Sequence, residues 1–136
     1  MISQKQILIV EDNEINRMLL GEILSADYQV VEAENGLEAL SVLKERGDVI
    51  SLILLDITMP VMDGYEMVKR IRETDTDTPI LFSSGRVSPK DVVKGYELGV
   101  NNYLKKPFLP EELNAHVQAL MKMSQKVPEK PVAPTN

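Results

Sequence analysis

Apolar residues in this chain follow two rhythms. Short unbroken runs alternate with stretches in which apolar positions recur every three or four residues. Ile7–Val10 (ILIV), Leu52–Leu55 (LILL) and Pro79–Ser83 (PILFS) are the unbroken runs. Runs of this length with no polar break predict strands buried on both faces. Tyr28–Ala33 (YQVVEA) is strand-like but more polar, which suits a position nearer the sheet edge. Asn102–Lys105 gives a short fifth strand.

The stretches between them carry helix signals. Asn13 opens a helix in which Ile15, Met18, Leu19, Glu22 and Ile23 share one mostly apolar face. Asn35, with Glu38 three residues on, resembles a capping box and starts a helix through Leu37, Leu40 and Leu43 to Gly47. A third helix is predicted from about Gly64 to Thr74, with Tyr65, Val68 and Ile71 inward. Ser88-Pro89-Lys90-Asp91 combines a cap, an early proline and an acid at the third position, and Gly99 stops the helix it begins. Pro110-Glu111-Glu112 opens the last helix, with Leu113, Val117, Leu120 and Met121 as its inner stripe.

From Ser124 onward, SQKVPEKPVAPTN has little apolar content and three prolines at three-residue spacing. The expected organisation is one folded domain over residues 1–123 and a proline-containing flexible tail or linker over 124–136. Strict alternation of five strands with five helices implies an α/β fold: a doubly wound parallel sheet, helices on both faces, right-handed crossovers. Ligands of such sheets sit at the carboxyl ends of the strands, near the switch in strand order.

Composition narrows the chemistry. At 136 residues the chain is the size of one ordinary domain, with 43% hydrophobic and 26% charged residues. A net charge of −6 disfavours direct nucleic-acid binding. With no cysteine there is no disulfide, thiol catalysis or thiolate metal site, and the single His116 makes zinc-histidine chemistry and a serine–histidine triad poor fits. No apolar run approaches membrane length and MISQKQ lacks a signal-peptide shape, so a cytoplasmic location is expected.

The strand ends hold the distinctive side chains. The first strand delivers Glu11 and Asp12, the third Asp56, the fourth Ser84 and the fifth Lys106. Carboxylates gathered at one rim resist ionising together unless a cation joins them. An all-oxygen donor set suits a hard divalent ion, typically Mg²⁺. A carboxylate beside a metal, an ammonium and a hydroxyl is also what phosphoryl transfer through an aspartyl phosphate requires. Asp12 or Asn13 can equally cap the helix that follows, and Tyr103 can be plain sheet packing.

ILIVEDNE, LILLDITMPVMDG, PILFSSG and NNYLKKPF, in this order and spacing, resemble the receiver domain of two-component response regulators. The resemblance spans about Gln6 to Met123 and implies the flavodoxin-like strand order 2-1-3-4-5. It implies that Asp56 is the phosphoacceptor, that Glu11, Asp12 and Asp56 hold Mg²⁺ (with Mn²⁺ as substitute), and that the Thr58 backbone carbonyl completes the protein ligands. Ser84 is then the switch hydroxyl, Lys106 the phosphoryl contact and Tyr103 the aromatic switch. The Lys106–Pro107 bond is expected to be cis.

The implied partner is a histidine kinase or phosphotransfer protein. The style is closest to receivers of winged-helix DNA-binding regulators or of hybrid kinases. These imply an output domain, or a homodimer through the fourth helix, fifth strand and fifth helix. Asn102 and His116 stand where such relatives tend to carry an aspartate and an arginine, which removes intersubunit ion pairs. On this reading the chain is not an enzyme beyond its own phosphorylation and dephosphorylation. A haloacid-dehalogenase-like phosphatase is the alternative, disfavoured because Thr58 stands where that class places a second acid. An FMN carrier is disfavoured because Glu11-Asp12 would repel the phosphate.

Overall fold

In the computed structural model, residues 5–56, 62–85 and 88–124 are described. The elements run β1 (Gln6–Val10), α1 (Glu14–Ser25), β2 (Gln29–Ala33), α2 (Gly36–Arg46), β3 (Ile50–Asp56), α3 (Gly64–Arg72), β4 (Ile80–Ser84), α4 (Pro89–Leu98), β5 (Asn102–Lys105) and α5 (Pro110–Met121). The five strands form one sheet in the order β2-β1-β3-β4-β5, every neighbouring pair parallel.

Strand pleating divides the core in two. Ile7, Ile9, Leu52, Leu54, Leu81 and Leu104 point to one side, where Leu20 and Leu24 of α1 and Leu113, Val117 and Leu120 of α5 cover them. Leu8, Val10, Ile53, Leu55 and Phe82 point to the other, under Ala39 of α2 and Met67, Val68 and Ile71 of α3. Each fully buried leucine or isoleucine contributes about 1.5–3 kcal/mol over leaving it in water. These apolar strands therefore take the centre, and β2, with its partly exposed residues, takes an edge.

The start signals act as read. Asn13, Asn35 and Asp63 accept from the amides three residues on, at 2.9, 2.8 and 2.9 Å. Ser88 and Asp91 make a reciprocal capping box, and Gly99 ends α4 with φ at 109°. Several boundaries differ by a residue or two: β3 begins at Ile50, α3 ends at Arg72, and β4 includes Ser84. The tail from 125 onward lies outside the described residues.

Most of the apolar face read on α1 looks outward: Ile15, Met18 and Leu19 are 68%, 55% and 53% exposed. Leu20 and Leu24 are the buried residues, with Ile23 partly covered. The α1 sequence holds two apolar stripes, and the sheet takes the one whose leucines stand one turn apart. Leu37 of α2 is likewise exposed, while Ala39 is buried.

Candidate functional site

Parallel register assembles the strand ends on one rim. Val10 pairs with Leu55, which brings Glu11 beside Asp56, and Asp56 pairs with Ser83, which sets Ser84 just beyond it. Ser84 pairs with Lys105, and the Lys106 amide donates to the Ser84 carbonyl at 2.8 Å. The loop after β5 is thereby tied to the end of β4. The Lys106–Pro107 peptide is cis, as expected.

Glu11, Asp12 and Asp56 each offer a carboxylate oxygen within 4.8 Å of the others. Glu11 is 2% exposed and Asp56 9%, whereas Asp12 is exposed. Lys106 Nζ lies 3.4 Å from Glu11 Oε1 and 3.7 Å from Asp56 Oδ1. Burial pushes the Glu11 carboxyl up and the Asp56 charge adds to this, while the Asn13 amide and Lys106 pull it down. Carboxylates crowded this closely, with one ammonium facing them among the described residues, fit a hard cation. The donor set is oxygen only, as Mg²⁺ prefers.

Glu11 is held from behind. Glu11 Oε2 accepts from the Asn13 amide at 3.1 Å, and the Glu11 amide donates to the Ala33 carbonyl at 3.1 Å. Arg17 Nη1 donates to the Glu11 carbonyl at 2.8 Å while its Nε donates to Glu32 at 3.1 Å. Sequence reasoning missed Arg17. The only available signal was the complementary charge of Glu32 across a strand–helix unit.

Ser84 is buried at the tip of β4, 5% exposed. The Tyr103 ring lies edge-on to Phe82 at 5.5 Å between centroids, and its hydroxyl donates to the Asp91 carbonyl of α4 at 2.8 Å. Thus Glu11, Asp12, Asp56 and Lys106 come together, Ser84 adjoins them, and Tyr103 lies apart against α4. Thr58 is outside the described residues.

An apolar groove of about 540 Å³ opens beside this cluster, lined by Leu19, Leu20, Ile23, Pro107 and Phe108, with Glu11 and Lys106 among its walls. Among the described residues, no helix is long and apolar enough to cross a membrane.

The family model for the response regulator receiver domain matches residues 7–118. The chain is 41% identical over 119 residues to the Bacillus subtilis uncharacterized transcriptional regulatory protein YkoG, covering 87% of this chain and 51% of that protein. It is 38% identical over 122 residues to the alkaline phosphatase synthesis transcriptional regulatory protein PhoP of the same organism, covering 89% and 50%. The chain thus spans about half the length of these curated relatives. Among solved structures, Vibrio cholerae chemotaxis protein CheY4 matches with a TM-score of 0.79 and 32% identity, over 88% of this chain and 99% of that one. The signal receiver domain of a histidine kinase from Syntrophus aciditrophicus matches at 0.80 and 29%, over 96% and 99%. The phosphatase alternative finds no support in these comparisons.

Proposed function

The chain belongs to the response regulator receiver domain family, and from that premise we propose that Asp56 is the phosphoacceptor of its two-component switch. The observation that carries the assignment is the Glu11–Asp12–Asp56 cluster with Lys106 seated on it. An Asp56 carboxylate oxygen attacks the phosphorus of a phosphohistidine. An O–P bond forms, the P–N bond breaks, and its electron pair stays with the departing imidazole. Lys106 exchanges its carboxylate contacts for a phosphoryl oxygen, and the Ser84 hydroxyl donates to another. Glu11, Asp12, Asp56 and the Thr58 backbone carbonyl would hold Mg²⁺, or Mn²⁺ in its place. The ion supplies charge neutralisation on the phosphoryl oxygens. Chemistry is confined to the chain's own phosphorylation and dephosphorylation, in the cytoplasm.

The donor is a protein, a histidine kinase or phosphotransfer protein. The support is the groove of Leu19, Ile23, Pro107 and Phe108, whose walls include Glu11 and Lys106. Any protein delivering a phosphoryl group to Asp56 must sit over it. Exposed Ile15, Met18 and Leu19 extend the same apolar ground. The response leaves through α4, β5 and α5 to an output domain, as the names of the regulatory relatives suggest, or to a second copy. This receiver itself does not contact nucleic acid.

The test is incubation with radiolabelled acetyl phosphate and Mg²⁺. Wild type should take up hydroxylamine-labile label and Asp56→Asn none. Stable label on that variant would overturn the assignment.

A further inference from the structure

Tyr103 rests in a seat whose shape depends on one glycine. An ideal Cβ built at Gly95 would stand 1.7 Å from Tyr103 Oη, 2.8 Å from Cζ and 3.2 Å from Cε2. Helix side chains lean toward the N-terminus and cover the preceding turn. A side chain at 95 would therefore shield the carbonyl of Asp91, four residues back. Gly95 leaves that carbonyl open, and two phenols reach it: Tyr103 Oη at 2.8 Å and Tyr65 Oη at 3.4 Å. A carbonyl oxygen has the lone pairs for more than one donor.

The walls of the seat are aromatic. Phe82, fully buried in β4, meets the edges of both Tyr65 and Tyr103 at 5.5 Å, with interplanar angles of 82° and 83°. Tyr96 closes the outer side at 5.5 Å and 64°. Glycine in a helix interior is a costly choice against alanine. Here it is offset by contacts that alanine would forbid.

We propose that Gly95 is a positioning residue for Tyr103: the notch it leaves on α4, with the Asp91 carbonyl at its floor, is the seat that fixes the ring's inward pose. This rests on the reading above only in its consequence, that occupancy of Asp56 is felt through a seated Tyr103. Tyr103 travels with the first two turns of α4 as one body. A side chain at 95 uncouples them.

The test is a thermal double-mutant cycle on the full chain, combined with fluorine NMR of 3-fluorotyrosine protein in which Tyr103→Phe identifies the resonance. Gly95→Ala should lower the melting temperature of wild type but raise it in a Tyr103→Ala background, where the seat is empty and only helix preference remains. The Tyr103 resonance should lie away from the solvent-exposed position in wild type and move to it in Gly95→Ala. If Gly95→Ala does not fold alone but folds with Tyr103→Ala, the seat is equally supported. A change of the same sign and size in both backgrounds, or a resonance that stays put, would overturn it. Mg²⁺ and beryllofluoride should raise the melting temperature of wild type and Gly95→Ala alike. Failure of that arm in wild type strikes the Asp56 assignment and leaves the seat standing.

Discussion

Lys106 stands closer to Glu11 than to Asp56, with its ammonium 3.4 Å from the first carboxylate and 3.7 Å from the second. Both acids are buried at the sheet rim, and Asp12 offers a third carboxylate within 4.8 Å. Among the described residues one ammonium faces these three carboxylates, which leaves excess negative charge at a rim where Glu11 and Asp56 are poorly solvated. The arrangement favours any process that brings positive charge to the rim.

Divalent metal is therefore expected to stabilise the fold. At a Mg²⁺ concentration about 100 times its Kd, stability should rise by about 2.7 kcal/mol over protein in EDTA, read as an upward shift in melting temperature. Asp12→Asn should lose most of that rise while melting in EDTA no lower than wild type, because it removes one of the crowded charges. If it melts well below wild type in EDTA, Asp12 carries a structural role and is not simply one charge too many at the rim.

Alkaline pH offers a second check. Burial is the main cause raising the phenols of Tyr28, Tyr65 and Tyr103 above 10.0; Tyr65 raises Tyr103 further through charge and hydrogen bonding, Asp91 raises both, and the hydrogen bond with Tyr103 pulls Tyr65 partly back. The folded chain thus holds protons that the unfolded chain gives up from about pH 10. Stability should fall as pH climbs beyond that point. Ultraviolet titration should show less phenolate in native protein than in urea at the same pH until alkaline unfolding releases the rest. Coincident curves would contradict the burial of these hydroxyls.

A polar clamp at the far end of the sheet should carry stability without touching the site. Arg72, at the end of α3, donates to the Gly99 carbonyl through Nε and Nη2 at 3.0 and 2.8 Å. It also reaches Asn101 Oδ1 at 3.0 Å and the Asp75 carbonyl at 3.0 Å. Arg72→Ala should cost about 2–3 kcal/mol in urea unfolding, since it strips partners from partly buried acceptors. Arg72→Lys should recover little, because an ammonium cannot reproduce the planar fork. Acetyl phosphate labelling per folded molecule should not change.

Most of the strand architecture was legible because β1, β3 and β4 are too apolar to sit anywhere but the sheet centre, and their polar ends fall at one rim by alternation alone. Lys106, Asp56 and Glu11 needed only strand order to meet. The α1 face was not legible from periodicity. Ile15, Met18 and Leu19 make as good a stripe as Leu20 and Leu24, and the sheet has room for one of them. Glu22 within the outer stripe was the residue that could have decided it. The Gly95 notch was also invisible, because it depends on the close approach of Tyr103 across the α4–β5 packing.

The exposed stripe on α1 should separate two kinds of phosphoryl donor. Met18 and Leu19 are more than half exposed, so Met18→Asp and Leu19→Glu remove little buried surface and should shift stability by no more than about 0.5 kcal/mol. On the proposed assignment, acetyl phosphate uses Asp56, Ser84, Lys106 and the metal ligands and none of the α1 stripe, so its labelling rate should stay within about twofold of wild type. On the same reading, a protein donor lays its own surface across Leu19, Ile23, Pro107 and Phe108 to bring a phosphohistidine to the acid. Charge on that ground adds a desolvation cost of about 1–3 kcal/mol to docking, or roughly a fivefold to 150-fold loss in transfer. Parallel assays with acetyl phosphate and with a phosphorylated histidine kinase read the two rates. Equal losses for both donors would place the effect inside the site, and undiminished transfer from the kinase would remove α1 from the donor surface.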